Sequence, residues 1–232
     1  MLTVRRAGER GHADHGWLRT WHSFSFADYF DPAHVHFRGL RVLNEDIVAP
    51  GQGFGMHPHR DMEILTWILA GSLRHEDSMG NGSVIRPGEV QVMSAGTGVL
   101  HSERNPSPAE PVHLLQIWIF PRSNNLAPRY EQRRVEDFVP GRLHRISGPP
   151  GSGAVTTIHA DASVWAGRLD AGDGVAHAVE PGRGAWLQVA RGKVTANGVE
   201  LGAGDGASTE HPGELRIEAL ADGSEVLVFD LA

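Results

Sequence analysis

Cysteine is absent from the 232 residues, which excludes disulfide frameworks, thiolate zinc sites and cysteine nucleophiles together. Long apolar runs are missing as well. The opening Met1-Leu2-Thr3-Val4-Arg5-Arg6 has no apolar signal core, and no stretch reaches the ~20 residues of a membrane-spanning helix. A cytoplasmic protein without a membrane partner is the expectation. Basic charge is scarce: 21 Lys and Arg against 28 Asp and Glu give a formal net charge of −7, the wrong sign for a general nucleic-acid surface. Sustained helical periodicity is also lacking. Only a helical turn within Ala160–Leu169 and a short helical piece at Ala27–Phe30 are read from the chain.

Glycine is abundant at 29 residues, with 14 prolines, which suits short strands joined by tight turns. Strand-like runs recur at Leu40–Val48, Met62–Leu69, Ser72–Asp77, Val90–Ser94, His113–Phe120, Ala185–Val189, Lys193–Ala196 and Ser224–Leu231. Between them stand turn markers such as Ala49-Pro50-Gly51, Met79-Gly80-Asn81-Gly82, Arg86-Pro87-Gly88 and Asn197-Gly198. Asn81-Gly82-Ser83 fits a glycosylation pattern, but without secretion it reads as a turn.

A weak internal repeat organises these strands. Trp67-Ile-Leu-Ala-Gly71-Ser-Leu, with Arg86-Pro-Gly88-Glu-Val beyond it, is echoed by Leu187-Gln-Val-Ala-Arg-Gly192-Lys-Val and Leu201-Gly-Ala-Gly204-Asp-Gly. The fold expected is all-β: two related barrels, residues 1–138 and 139–232, joined through the Pro- and Gly-rich stretch near Val135–Gly153. Histidine is high at 14 residues, ten of them at or before His113, so the two halves do not share one task.

Chemistry concentrates in two segments of the first half. His57-Pro-His59 places two imidazoles on one face of a strand, ~6.5–7 Å apart by the strand rise. Pro58 between them donates no ladder hydrogen bond, so this strand is expected at an edge or irregular. His101-Ser-Glu103 repeats the device with an imidazole and a carboxylate. Glycines before His57 and before His101 let the chain turn into the site. Side by side, the two strands offer three imidazoles and one carboxylate to one divalent first-row metal ion, with positions left for water, dioxygen or substrate. Such ligands accept Fe, Mn, Co, Ni, Cu or Zn, and affinity order alone favours copper.

The pattern Gly51-x5-His57-x-His59-x3-Glu63-x7-Gly71, followed by the glycine turn and His of Met93-Ser-Ala-Gly-Thr-Gly-Val-Leu-His101-Ser-Glu103, resembles the two signatures of the cupin superfamily. The His101-Ser-Glu103 ending is similar to the pirin family. Arg10-Gly-His-Ala-Asp-His-Gly-Trp17, Trp21-His-Ser-Phe-Ser-Phe26 and Tyr130-Glu-Gln-Arg-Arg134 resemble its bacterial quercetinase-like branch. The likeness is dense over residues 8–134 and thinner afterwards. It implies a bicupin of two double-stranded β-helix (jelly-roll) barrels, the first alone binding metal, suggested to be iron, through His57, His59, His101 and Glu103. In cupins more widely the first-motif Glu is often a ligand, so Glu63 competes with Glu103. Same-face geometry with His101 favours Glu103 and leaves Glu63 as a candidate behind the ligands. Counting back from Gly192, the equivalents of the paired histidines fall on Ala178 and Glu180, and the equivalent of His101 on Ile217, so the second barrel is expected to be metal-free.

The activity this implies is a flavonol dioxygenase of the quercetin 2,3-dioxygenase type. Its partners are a flavonol-like aromatic and O2; it opens the central ring and releases carbon monoxide. Glu103, or Glu63, is the candidate general base. The alternative is a pirin-like regulator whose metal redox state alters a surface read by a partner protein. His12, His15, His75, His144, His159, His177 and His211 are expected to be surface or hydrogen-bonded residues, His34-x-His36 exposed, and Trp67, Trp118 and Trp186 core. The oligomeric state is not fixed by the sequence; two fused barrels that cover each other are compatible with a monomer.

Overall fold

Alternating apolar residues between glycine turns give 22 strands and one short 3-10 turn, Ala7–Glu9, among the residues that the computed structural model describes, 1–136 and 138–232. The first twelve are β1 (Thr3–Arg5), β2 (Gly11–Asp14), β3 (Leu18–His22), β4 (Leu40–Val48), β5 (Gly53–His59), β6 (Glu63–Ala70), β7 (Leu73–Asp77), β8 (Gly82–Ile85), β9 (Glu89–Ser94), β10 (Val99–Arg104), β11 (Val112–Ile119) and β12 (Arg129–Arg134). The remainder are β13 (Arg142–Gly148), β14 (Thr156–Thr157), β15 (Ala162–Leu169), β16 (Gly174–Val179), β17 (Gly184–Arg191), β18 (Lys193–Ala196), β19 (Val199–Gly202), β20 (Gly206–Thr209), β21 (Gly213–Ala219) and β22 (Ser224–Leu231).

They form two jelly-roll barrels, the bicupin architecture expected. Each pairs a seven-stranded sheet with a four-stranded one: β12-β9-β6-β11-β4-β3-β2 over β5-β10-β7-β8, and β1-β20-β17-β22-β15-β13-β14 over β16-β21-β18-β19. Apart from the outermost strands of the larger sheets, the strand orders correspond, which gives the internal repeat its structural meaning. One strand departs from the division at 138/139: β1 pairs with β20, so the first residues of the chain lie in the second barrel. Two helical expectations fail. Ala162–Leu169 is a strand between β13 and β22, its small residues packing between neighbours. Residues 27–30 form a turn held by the Phe26–Tyr29 bridge, with Ala27 at φ 49°.

The largest apolar cluster lies between the barrels. Leu43, Leu65, Trp67, Leu115 and Ile117 of the first meet Ile146, Ala166, Trp186, Leu227 and Phe229 of the second. Strand β6 shows how parity divides the labour. Ile64 and Ile68 join the small clusters inside the first barrel, while Leu65, Trp67 and Leu69 face the second. A single cluster including Leu187, Val189, Val194, Leu215, Ile217, Val226 and Val228 fills the second barrel. The first is packed only in two patches, and a cavity lies between them.

Candidate metal centre

Strand β5 is an edge strand, as Pro58 requires, and it pairs with β10 in the register His59 opposite Val99 and His57 opposite His101. The register then slips, so that Gly55 and Met56 stand against Ser102 alone and Phe54 faces Glu103. This bulge re-aims the strand. It leaves the Gly55 carbonyl 2.7 Å from His57 Nδ1. Gly53 permits the close approach of β5 to β10, since a Cβ there would fall against the Glu103 carbonyl oxygen.

The ligating atoms of His57, His59 and His101 all lie within 4.8 Å of one another. A carbonyl only accepts, so His57 Nδ1 carries a hydrogen, and its Nε2 faces His101 Nε2, 3.0 Å away. Burial pushes the imidazolium form of His59 down to about 4, helped by His57, and that of His101 down to about 2, helped by His57 and His59. Three imidazoles converging on one point, two of them held neutral by burial, form the donor set that a divalent first-row cation requires.

Glu103 stands one step back. Its donor atom groups with those of His101 and His75, not with the His57 and His59 pair. Val99, His101 and Glu103 are the buried positions of β10, so the carboxylate does share the face of His101. Gln116 Nε2 donates to it at 3.1 and 3.3 Å, and Thr66 Oγ1 lies at 3.5 Å. Burial raises its pKa to about 7, and nearby Asp46 adds to the rise.

Glu63 lies elsewhere. It has the parity of Leu65 and Trp67, and its carboxylate accepts the Ser94 hydroxyl at 2.8 Å and the His159 N–H at 3.1 Å, at the seam with the second barrel. It lines no part of the cavity beside the histidines, so its place behind the ligands is corrected to a tie between barrels.

The cavity holds about 290 Å³. Leu18, Phe26, Phe54, Leu114 and Trp118 supply apolar walls, and Thr20, His22, Asn44, Asp46 and Gln116 a polar side. Trp118 is thereby corrected from core to wall: its ring stands edge-on to His59 at 4.9 Å. Asp46 is pushed up to about 7 by burial and keeps Oδ1 without a partner, as Trp118 keeps Nε1. Sequence reasoning missed the polar side. Asn44 and Asp46, two apart and so on one face of a long strand, were the available signal.

In the second barrel the corresponding pair, β16 and β21, sets His177 opposite Leu215 and Val175 opposite Ile217. The inward positions are therefore His177 and Val179, not Ala178 and Glu180, which are exposed. A one-residue error in counting turns every side chain to the other face. His177 Nε2 is 3.0 Å from Asp230, which also pairs with Arg183. Among the described residues, both groups able to hold an ion lie in the first barrel.

Comparison with known proteins agrees with this architecture. The Pirin family profile matches residues 3–119, and the profile of the quercetinase C-terminal cupin domain matches residues 146–231. A quercetin 2,3-dioxygenase of Escherichia coli K12 is 48% identical over 231 residues, covering 100% of this chain and 99% of that protein. The crystal structure of the bacterial pirin YhhW from Escherichia coli in complex with nickel(II) superposes with a TM-score of 0.93 at 46% identity, covering 100% of this chain and 99% of that one. GK1651 of Geobacillus kaustophilus gives 0.82 at 25% identity, over 98% and 94% of the two chains.

Proposed function

The chain belongs to the pirin family, and on that footing we propose that it is a metal-dependent dioxygenase of the quercetin 2,3-dioxygenase type. The observation that carries this reading is the meeting of three converging imidazoles with a buried, high-pKa carboxylate beside an apolar cavity. His57, His59 and His101 would hold a divalent transition ion, iron by family likeness, with Glu103 as the fourth group. The ion would supply Lewis acidity toward a flavonol oxygen and the means to engage dioxygen.

The protein's own part follows from position and charge. Trp118, Phe26, Leu18 and Leu114 enclose a planar ring system and exclude water. Glu103, with its pKa near 7 and its orientation fixed by Gln116, accepts the proton of the flavonol hydroxyl as that group ionises. The spare acceptor on Asp46 and the spare donor on Trp118 suit a substrate rich in hydroxyl and carbonyl groups. Overall, both atoms of dioxygen enter the ring-opened ester, and the carbon that bore the hydroxyl departs as carbon monoxide.

The test is aerobic incubation of Fe(II)- or Ni(II)-loaded protein with quercetin, following flavonol absorbance and trapping carbon monoxide. Loss of absorbance with release of the gas, abolished in His57→Ala, is expected. Consumption no faster than with free metal, or an unaffected His57→Ala variant, would overturn the reading.

A further inference from the structure

On the side of His101 away from His57 stands another imidazole, which does not line the cavity beside the ligands. His75, on β7, has a fully buried side chain. Its Nδ1 lies 3.4 Å from His101 Nδ1, and its Nε2 lies 3.1 Å from Asp77 Oδ2. The direction of each hydrogen bond follows from the last member. Asp77 accepts the backbone N–H groups of Met79 at 2.9 Å and Asn81 at 3.0 Å, and the Asn81 side-chain amide at 2.9 and 3.2 Å. A carboxylate so surrounded by donors is an acceptor, so His75 Nε2 carries the hydrogen. The neutral His75 ring then offers a lone pair at Nδ1, and His101 must donate its own Nδ1–H there. His101 Nε2 is left as a lone pair directed at His57 Nε2, 3.0 Å away.

The ring of His75 is held in this attitude. Tyr130 stacks on it at 4.7 Å and 25°, and the Tyr130 hydroxyl is tied to Ser83 and donates to Gln132 at 3.0 Å. The turn Asp77-Ser-Met-Gly-Asn81 and the Tyr130 segment thus acquire a purpose that the metal-binding strands alone do not give them.

We propose that Asp77 and His75 form a positioning relay that fixes the tautomer and aim of His101 as a metal ligand. A carboxylate behind an imidazole is the usual partner of a ligating histidine, and here a further imidazole is interposed. The inference rests on the reading of His101 as a ligand. It competes with another use of the same atoms, because His75, His101 and Glu103 also present donors within 4.8 Å of one another. An ion seated there would need the nitrogens that the relay leaves protonated or engaged.

Two measurements decide it. In Zn(II)-loaded protein, nitrogen-15 NMR of the imidazoles should show His101 metallated at Nε2, with an exchange-protected Nδ1–H; metallation of His75, or of His101 at Nδ1, would overturn the relay. Ni(II) affinity, by competition with a chromophoric chelator, should fall about 10- to 100-fold in His75→Leu, the loss typical of removing a residue that supports a ligand. It should stay near wild type in His75→Asn, whose carbonyl oxygen replaces the Nδ1 acceptor. Equal affinities in these two variants would overturn the relay and leave His75 a packing residue. The underlying reading fails separately, if wild-type protein binds neither ion stoichiometrically or if His57→Ala binds Ni(II) as tightly as wild type.

Discussion

Two side chains separated on β10 by one serine respond oppositely to the same burial. His101 is held as the neutral ring, its imidazolium pKa pushed to about 2, and Glu103 is shifted toward its protonated form, with its pKa near 7. Since the folded-state pKa of Glu103 exceeds its ordinary 4.5, the native state binds more protons than the unfolded chain between those values. Its contribution to stability is present at low pH and is lost as pH rises toward 7. In metal-stripped protein, Glu103→Gln should therefore match wild type near pH 4.5 and exceed it at pH 7.5. The gap should grow by about 1.4 kcal/mol for each pH unit separating the two pKa values. Chemical denaturation at the two pH values measures this, and a pH-independent difference would refute the assignment. Trp118→Ala, which removes a cavity wall, should raise KM for quercetin about three- to tenfold, the worth of one aromatic contact, with metal content unchanged.

Legibility at this scale was uneven for a definite reason. His57-x-His59 and His101-x-Glu103 announce themselves because period-two spacing puts each pair on one strand face. His75-x-Asp77 has the same spacing on β7 and is equally inward, yet an isolated histidine beside charged neighbours reads as surface. Only the pairing of β7 with β10, which sets Asp77 opposite His101 and His75 opposite Glu103, reveals it. Glu63 shows the converse error. Its motif position suggested the site, but strand parity turns it toward the second barrel.

Among the elements, β5 bears the greatest demand: an edge strand, interrupted by Pro58 and bulged at Gly55-Met56, has to present two imidazoles accurately. Gly53 sets its distance from β10. Gly53→Ala should push β5 outward and weaken Ni(II) binding at least about tenfold, as loss of support behind a metal ligand does, while the melting temperature changes little because edge pairing contributes little to the core. Retained affinity would show that the close approach is not required. Strands were recognisable where apolar runs were long, as at β4, β6, β11 and β22. Strands of similar length but mixed composition, such as β13 and β15, were not, because Gly, Ala and Arg carry weak β preference and pairing of β15 with β13 and β22 decides their state.

For the whole molecule, the principal core belongs to neither barrel alone. Trp67 lies in it with its indole N–H donating to Glu225 at 2.6 Å across the seam. Trp67→Ala should cost about 3–5 kcal/mol, a large cavity plus a buried carboxylate deprived of a donor, and unfolding should remain one transition. Residues 1–138 expressed alone should bind a hydrophobic dye and self-associate, since the face bearing Leu43, Leu65 and Ile117 would be uncovered and β1 would lose its β20 partner. A monomeric fragment melting cooperatively would contradict this.

The amino-acid order by itself determined the all-β barrels, their duplication and the three histidines of the first, because each is written in local spacing: glycine turns, period-two alternation and side chains paired two apart. Tertiary structure decided which carboxylate faces the cavity, which lone pairs are free, and that the second barrel is filled. Those depend on register between strands distant in the chain, where a shift of one residue exchanges the inside for the outside.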